Sequence, residues 1–354
     1  MAIDTTATPA SQGFRMPAEW ERHRATWLSW PHERTDWPGK FAPIPWIYGD
    51  IVRHLSQVEV VCILVRDEKL RREAERCCEK SGANMENVEF FPAPTDRSWT
   101  RDFCPIFLRR AQGDTGILDF RFNGWAKYPN WHNDDAIPAI VAKKLRMKRW
   151  QPKFARKRIV LEGGSIEVNG AGLLLTTEEC LLSSVQQRNP GLAREGYEAV
   201  FREYLGIEKT LWLRNGIAGD DTHGHVDDLA RFVDENTVVV AAETNPEDPN
   251  FAPLRENFQL LRRMTNLKGE ALHVVKLPMP APVYFDGFRL PASYANFYIA
   301  NGVVLVPVFN DPADREALNT LARLMPDRRI IPIYCRDLVL GLGTLHCMTQ
   351  QQPE

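Results

Sequence analysis

Three stretches of the sequence share one design and decide the fold: NGAGLLLTTE at 169–178, ENTVVVAAET at 235–244 and ANGVVLVPVF at 300–309. Each joins a turn to a short, continuous apolar run, which is typical of a strand that is buried on both faces. Val238 lies 65 residues after Leu173, and Val303 lies 65 residues after Val238. This fixed spacing predicts a structural unit that is repeated along the chain.

The repeat extends loosely toward the N-terminus, where VVCILV at 60–65 and GILDFRF at 116–122 also read as strands. Five strand signals in 354 residues correspond to one unit about every 70 residues. Helical patterns lie between them, at residues 44–57, 67–81, 134–144, 194–205, 254–264 and 311–324. The sequence therefore predicts an α/β fold of five units in a ring, with a doubly wound sheet without repeats as the alternative.

The composition is that of an ordinary globular protein and excludes several functional classes. Lys+Arg total 44 and Asp+Glu 46, so the net charge is −2 and a nucleic-acid partner is not favoured. No apolar run approaches the roughly 18 residues of a membrane helix, so we expect no membrane partner. The 44% hydrophobic content argues against disorder over most of the chain.

The N-terminus and the cysteines indicate a cytoplasmic protein with one large domain. Residues 1–13 are small and polar and lack the pattern of a secretory signal, so we expect a flexible tail there. Residues 14–354 contain no linker and predict a single catalytic domain. The seven cysteines form no CxxC pair, which favours free thiols in a reducing compartment. The sequence shows no sign of an oligomeric state, and a homo-oligomer stays possible.

The densest group of polar residues is GDDTHGHVDD at 219–228, which contains Asp221, His225 and Asp227. So many Asp and His side chains close together indicate a functional site rather than a solvated turn. The stretch is also similar to the T-H-x-H-x-D-H metal motif of metallo-β-lactamase-like hydrolases. Asp228 stands where that motif ends in histidine, and the two later histidines lack ligand spacing, so we expect no metal.

A second group, GLGTLHCMTQQQP at 341–353, presents Cys347 between glycines and a polar run. A lone cysteine is usually a buried structural residue, and the other six are interpreted in that way. The polar, glycine-shaped surroundings of Cys347 instead indicate a nucleophile held by a fixed C-terminal loop.

Two shorter loops complete the candidate site: PTDRSWTRD at 94–102 and LEGGS at 161–165. Alone, each could be a surface ion pair or a simple turn. In a ring, however, the loops of successive units converge at one end of the axis. We therefore expect the carboxylates and the thiol of different units to meet, namely Asp102, Glu162, His225 with Asp227, and Cys347.

This combination of side chains suits a guanidinium substrate better than an amide. Carboxylates would oppose the oxyanion of a peptide-bond hydrolase, but they match the planar N–H donors of a guanidinium. The bound cation would favour the thiolate of Cys347, which attacks the central carbon while His225 protonates the departing ammonia. Water would then release a ureido product, and the chemistry needs no metal or other cofactor.

The sequence resembles the agmatine deiminases of the bacterial porphyromonas-type peptidylarginine deiminase family over residues 15–353. The matching motifs are WTRD at 99–102, FNGW at 122–125, LEGGS at 161–165, LLTTEECLL at 174–182, QRNPG at 187–191, DDTHGHVDDLARF at 220–232, LPASYANFYIANG at 290–302 and LHCMTQQ at 345–351. The resemblance implies a pentein α/β propeller of five ββαβ modules with pseudo-fivefold symmetry around a central active site.

The resemblance also implies an activity and a role for each site residue. The activity is hydrolysis of agmatine to N-carbamoylputrescine and ammonia through a covalent cysteine thiouronium intermediate, a step toward putrescine. The implied roles are the nucleophile Cys347, the acid/base His225, the guanidinium carboxylates Asp102 and Asp227, and Glu162 as the partner that orients His225. Trp99 would line the channel, and Asp221 would meet the distal amine of the substrate.

Two departures from the family pattern leave the substrate open. Cys104 replaces a glycine after Asp102, where it could crowd the turn or add a second thiol near the site. Leu342 interrupts a run of glycines before Cys347. The alternatives are therefore deimination of peptidyl-arginine or another guanidino compound, an amidinotransferase, and a non-catalytic ring-shaped binding protein.

Overall fold

The structure is a computed structural model, and it describes residues 3–354. The strands are β1 (Phe14–Arg15), β2 (His23–Ser29), β3 (Val60–Val65), β4 (Val88–Pro92), β5 (Ile106–Arg110), β6 (Thr115–Leu118), β7 (Lys148–Trp150), β8 (Lys153–Phe154), β9 (Lys157–Arg158), β10 (Glu167–Val168), β11 (Leu173–Thr177), β12 (Lys209–Leu213), β13 (Ala230–Phe232), β14 (Thr237–Ala242), β15 (His273–Pro278), β16 (Tyr284–Phe285), β17 (Phe288–Arg289), β18 (Tyr298–Ala300), β19 (Val303–Val308), β20 (Arg329–Tyr334) and β21 (Gln350–Pro353). The helices are α1 (Ile44–Leu55), α2 (Glu68–Ser81), α3 (Thr100–Phe103), α4 (His132–Leu145), α5 (Glu178–Leu182), α6 (Arg194–Val200), α7 (Phe251–Leu261) and α8 (Ala313–Leu324).

Five sheets share one pairing pattern. In each sheet a central strand pairs antiparallel with one neighbour and parallel with another. The triplets are β21-β2-β3, β5-β6-β7, β10-β11-β12, β13-β14-β15 and β18-β19-β20. A helix connects the two parallel strands of each triplet, as such a crossover requires. The prediction of five repeated α/β units is therefore confirmed.

The three stretches that predicted the repeat are the central strands of consecutive units, β11, β14 and β19. The N-terminal unit differs from the prediction. Residues 60–65 form β3, which is the parallel neighbour, and the central strand is β2. The sequence of β2, HRATWLS, mixes polar and apolar residues and lacks the continuous apolar run of the other copies.

The two ends of the chain close the first unit together. Strand β21 pairs antiparallel with β2, and Gln350 lies opposite Trp27. The indole Nε1 of Trp27 also donates to Gln352 Oε1 at 2.9 Å. A strand near the C-terminus thus completes a sheet that begins near the N-terminus.

The N-terminal segment differs from the tail that we expected at 1–13. Residues 1–2 lie outside the described part of the chain, and residues 3–13 pack against the domain. They contain two 3-10 turns, Thr5–Ala7 and Ala10–Gln12, and the side chain of Ile3 joins the core that also contains Phe14. Ile3 is thus a core residue within a stretch that is otherwise small and polar.

The tryptophans near the N-terminus mostly fill the core. Trp27, Trp30 and Trp37 are buried, whereas Trp20 is half-buried and Trp46 is 53% exposed. Within residues 3–354, every helix falls short of the length and apolar character that crossing a bilayer requires.

Glu19 joins four of the five units beneath the candidate site. Its buried carboxylate accepts from Arg101 at 3.0 Å, from Arg231 at 2.8 Å, from the Ile299 amide at 2.8 Å and faces His346 Nε2 at 2.8 Å. These partners come from the units of β5, β13, β18 and β21. Burial raises the pKa of Glu19, but the charges of Arg231 and His346 more than offset this and hold the pKa well below its usual value.

We expect Glu19→Gln to lower the free energy of unfolding by about 3 to 5 kcal/mol, because it leaves buried arginines without their counter-charge. Urea unfolding at neutral pH measures the change. The matched control is Glu21→Gln, whose pair with Arg15 is partly exposed, and this substitution should cost about 1 kcal/mol or less. Equal losses in the two variants would contradict a role for Glu19 in joining the units.

Candidate active site

The site is built from the segments that precede one antiparallel strand in each unit. Asp102 lies in α3 before β5, and Glu162 begins the 3-10 turn Gly163–Ser165 before β10. His225 begins a second 3-10 turn, Val226–Asp228, before β13, and Cys347 lies before β21. Because the units repeat, these equivalent loops converge on one place.

The sulfur of Cys347 lies between a carboxylate and an amide. It is 3.6 Å from Asp227 Oδ2 and 3.0 Å from Asn296 Nδ2, and the residue is 6% exposed. Burial raises the pKa of the Cys347 thiol, and the charges of Asp227 and Asp228 raise it further. The nucleophile candidate is therefore a protonated thiol until a cation arrives.

Asn296 is a site residue that the sequence reasoning missed. It belongs to the fifth unit, before β18, and its Oδ1 accepts from Thr344 Oγ1 at 2.9 Å and from the His346 amide at 3.0 Å. Asn296 therefore holds both the loop that carries Cys347 and the sulfur itself. Its signal was present in LPASYANFYIANG at 290–302, where no residue was assigned a role.

His225 lies among three carboxylates and is 1% exposed. Its Nδ1 is 3.8 Å from Asp102 Oδ1 and 4.0 Å from Asp227 Oδ1, and its Nε2 is 3.8 Å from Glu162 Oε2. Burial lowers the pKa of His225, but the Asp102 carboxylate and its neighbours more than offset this, so the pKa lies well above its ordinary value. This shift favours the protonated form of the ring.

The carboxylates around His225 differ widely in their pKa values. Burial is the largest effect on Asp102 and raises its pKa to about 6. The charge of His225 lowers this pKa, but the charge of Asp227 opposes that effect. Burial also acts on Glu162, yet Arg188 and His225 lower its pKa to about 2. Glu162 is thus a permanent anion, whereas Asp102 titrates near neutrality.

Asp227 is held from one side only. Its Oδ2 is 2.7 Å from His346 Nδ1, and the other ring nitrogen of His346 faces Glu19. Both contacts are satisfied only when each ring nitrogen carries a proton, because a carboxylate is an acceptor. Asp227 Oδ1 is buried and has no hydrogen-bond partner among residues 3–354.

Gly164 is required by this packing. A Cβ atom there would lie 2.5 Å from His225 Nδ1, 2.9 Å from Asp102 Oδ1 and 3.1 Å from Asp227 Oδ2. Its amide also donates to Asp102 Oδ1 at 3.0 Å. The second glycine of LEGGS therefore gives three site residues room to meet.

A cavity of about 320 Å³ leads to these groups. Trp99, Asp102 and Cys347 line it, whereas Asp227, His225 and Glu162 are not part of its lining. Trp125 also lines the cavity and donates from Nε1 to Asp102 Oδ2 at 2.8 Å. The sequence reasoning missed Trp125, although FNGW at 122–125 pointed to it.

The rim of the cavity contains two ion pairs. Arg97 pairs with Asp36, and Trp99 Nε1 donates to the same carboxylate at 3.1 Å. Asp221 lies across the rim and is paired with Lys127. Of these residues, the sequence analysis had expected Trp99 and Asp221 at the substrate channel.

The two departures from the family pattern have different outcomes. Cys104 is buried at the end of α3, lies outside the cavity lining, and burial raises the pKa of its thiol. It therefore packs in the core and adds no reactive group to the cavity. Leu342 lines the cavity in the left-handed conformation, with φ of 70°, which costs a non-glycine residue about 1 to 3 kcal/mol.

Two groups of side chains have the spacing of possible metal ligands: Glu162 with Cys180 and His225, and Asp227 with Asp228 and Cys347. A cation in the first group would compete with Arg188 for Glu162, to which Arg188 Nε donates at 3.1 Å. In the second group it would occupy the Cys347 sulfur. His223, of the metal-like motif, instead lies 3.1 Å from Ser183 Oγ.

The comparisons with known proteins identify the family of the chain. The profile of the Porphyromonas-type peptidyl-arginine deiminases matches residues 15–353. The agmatine deiminase of Stutzerimonas stutzeri is 34% identical over 98% of both chains. The solved agmatine deiminase of Enterococcus faecalis is 30% identical, covers 98% of both chains and has a TM-score of 0.89. A substrate-bound cysteine-to-serine variant of C. jejuni agmatine deiminase is 30% identical over 96% of both chains, with a TM-score of 0.85. The chain belongs to the Porphyromonas-type peptidyl-arginine deiminase family.

Proposed function

We propose that this protein hydrolyses agmatine to N-carbamoylputrescine and ammonia through a covalent intermediate on Cys347. The observation that carries the proposal is the meeting of one thiol with Asp102, Asp227 and His225, from three segments of the chain, beside one cavity. The full-length similarity to agmatine deiminases supports the same substrate.

The carboxylates bind the guanidinium. Asp227 Oδ1 is buried and accepts no hydrogen bond from residues 3–354, and Asp102 lines the cavity, so the planar N–H donors of the cation can satisfy both groups. The positive charge of the substrate then opposes the two effects that keep Cys347 protonated, since it offsets Asp227 and Asp102. The thiol releases its proton to solvent when the substrate binds.

The thiolate attacks the central guanidinium carbon, and a C–S bond forms. His225 donates its proton to the departing nitrogen, the C–N bond breaks, and ammonia leaves a thiouronium on Cys347. Glu162, a permanent anion beside Nε2, keeps the histidine in position during both steps.

Water completes the reaction with the same groups. The neutral His225 takes a proton from water, the oxygen attacks the thiouronium carbon, and the C–S bond breaks to give the ureido product and the thiolate. One proton is released in total and is taken up by the ammonia. Water is therefore the only co-reactant that the two steps consume.

The pH dependence should follow Asp102. Its pKa of about 6 means that the carboxyl is protonated below that pH and binds the guanidinium poorly, so kcat/KM should fall as the pH drops through about 6. The bound cation stabilises the carboxylate, so the corresponding fall in kcat should lie at lower pH. Profiles of both parameters measure this, and a kcat/KM that stays flat from about pH 5 to pH 8 would contradict it.

The same group affects stability with the opposite sign. The unfolded carboxyl has a pKa of about 3.9, so between about pH 4 and pH 6 the folded state holds a proton that the unfolded chain has released. The contribution of Asp102 to stability therefore decreases as the pH rises through that window.

A substrate panel tests the proposal directly. Ammonia release is measured with agmatine, free arginine and an arginyl peptide, without added metal. We expect agmatine to be preferred by at least about tenfold in kcat/KM, a factor equal to about 1.4 kcal/mol of transition-state binding. Preference for the peptide would assign the chain the second activity of its family, and no release from any of the three would overturn the proposal.

We also propose that residues 14–354 act as one catalytic domain in the cytoplasm. All seven cysteines are buried free thiols in the structure, which suits a reducing compartment.

A further inference from the structure

We propose that Lys127 determines specificity, because its ammonium holds the place on Asp221 that the distal amine of the substrate takes over. The proposal rests on the function proposed above and adds a residue that competes with the substrate. It predicts a site that selects guanidines with a cationic tail and opposes those with a carboxylate tail.

Asp221 has both oxygens engaged at the rim of the cavity. Lys127 Nζ donates to Oδ1, and the Tyr128 hydroxyl donates to Oδ2 at 2.6 Å. Asp221 and Tyr128 line the cavity, whereas Lys127 does not. The lysine therefore reaches the carboxylate from outside, and a ligand would reach it from inside.

Of the two cations at the rim, Lys127 and Arg97, Lys127 is the one that a substrate can displace from its carboxylate. Its side chain is 42% exposed, and Asp221 is its only carboxylate partner among residues 3–354. Arg97, in the other pair, is 10% exposed, donates also to Asn130, and lies 4.2 Å from the centre of the Tyr128 ring. Exposed pairs contribute little to stability, so Lys127 can be displaced at small cost.

One short segment contacts both ends of the cavity. Trp125 donates to Asp102, the guanidinium carboxylate. Lys127 and Tyr128, which follow in the same segment, both donate to Asp221. Trp125 and Ala126 both have left-handed φ values, of 57° and 55°, and the Ala126 amide donates to Asn123 Oδ1 at 2.9 Å. This fixed turn sets the distance between the two carboxylates that a substrate must span.

The exchange favours one substrate chemistry. A primary ammonium on the tail replaces the primary ammonium of Lys127, so the charge of Asp221 stays compensated. A neutral tail cannot compensate it, and a carboxylate tail would meet Asp221 while Lys127 and Arg97 are already paired. The selectivity thus comes from competition between two like cations for one carboxylate.

The test compares agmatine with butylguanidine, which has the same four-carbon chain but lacks the terminal amine, so that its tail is neutral. In Lys127→Met, Asp221 is free of its competitor, and we expect the agmatine-to-butylguanidine ratio of kcat/KM to rise roughly threefold to fivefold. The change should fall on KM for agmatine, whereas a purely structural role would alter both substrates together. In Asp221→Asn the ratio should drop, and adding Lys127→Met to that variant should then change nothing.

Lys40→Met is the matched control. Lys40 forms a similar half-exposed pair with Asp337 and does not line the cavity, so its substitution should leave the ratio unchanged. An unchanged or lower ratio in Lys127→Met would overturn the inference while the proposed function stands. A wild-type protein that turns over neither guanidine would instead overturn the proposed function.

Discussion

Replacing Cys347 by serine should reduce kcat for agmatine by roughly 10⁴-fold or more, because the side chain that forms the covalent intermediate is lost. The alcohol is a far weaker nucleophile, and the carboxylates that raise the pKa of the thiol would also oppose an alkoxide. The substitution is nearly isosteric, and Asn296 can donate to the new oxygen as it does to the sulfur. Agmatine should therefore still bind, and single-turnover kinetics should show no covalent adduct.

Cys77→Ser provides the control for this experiment. Cys77 lies in α2, far along the chain from the site, and donates to the Pro45 carbonyl at 3.1 Å, a contact that serine can keep. Its turnover should equal that of the wild type. If Cys347→Ser retained turnover within tenfold of wild type, the covalent mechanism would be wrong.

Replacing His225 by alanine should lower kcat by about 10² to 10⁴-fold, the usual worth of general acid–base catalysis. Both chemical steps need its proton, since the first donates it to ammonia and the second recovers it from water. The substitution also removes the cation that lowers the pKa of Asp102 and Glu162. Added imidazole should restore part of the activity if the ring acts by proton transfer.

His223→Asn tests whether this loss is specific. His223 is two residues away, has a left-handed φ of 64° that asparagine tolerates, and lies near Ser183 rather than the cavity. We expect nearly normal kcat in that variant. A comparable loss in His223→Asn would indicate damage to the loop rather than loss of a proton donor.

Much of the fold was predictable because its signal is local and repeated. The central strands β11, β14 and β19 are short apolar runs at a fixed spacing, and such runs need only their own residues to be recognised. Strand β2 was missed because its burial depends on β21, which lies more than 300 residues later in the sequence. Ile3 was missed because a single apolar residue in a small, polar stretch does not show that it joins a core.

The same distinction between local and long-range signals separates the site residues that were predicted from those that were missed. Cys347 and His225 were found because reactive side chains in glycine-containing polar loops are visible in the sequence, and Asp102 was found in a short polar loop that matches a family motif. Asn296 and Glu19 were missed because an amide or a carboxylate has no distinctive role until its partners in other units are known. The roles of all these residues remain predictions, for which the substitutions above are the test.

The pairing of β21 with β2 has a consequence for how the protein is made. A chain that stops before Gln350 would contain Cys347 but not the strand that anchors the loop on which it lies. During synthesis, therefore, the loop that carries the thiol cannot take its folded position until translation has passed Pro353 and that segment has left the ribosome. Prematurely terminated products should be inert, and no nascent polypeptide could consume substrate.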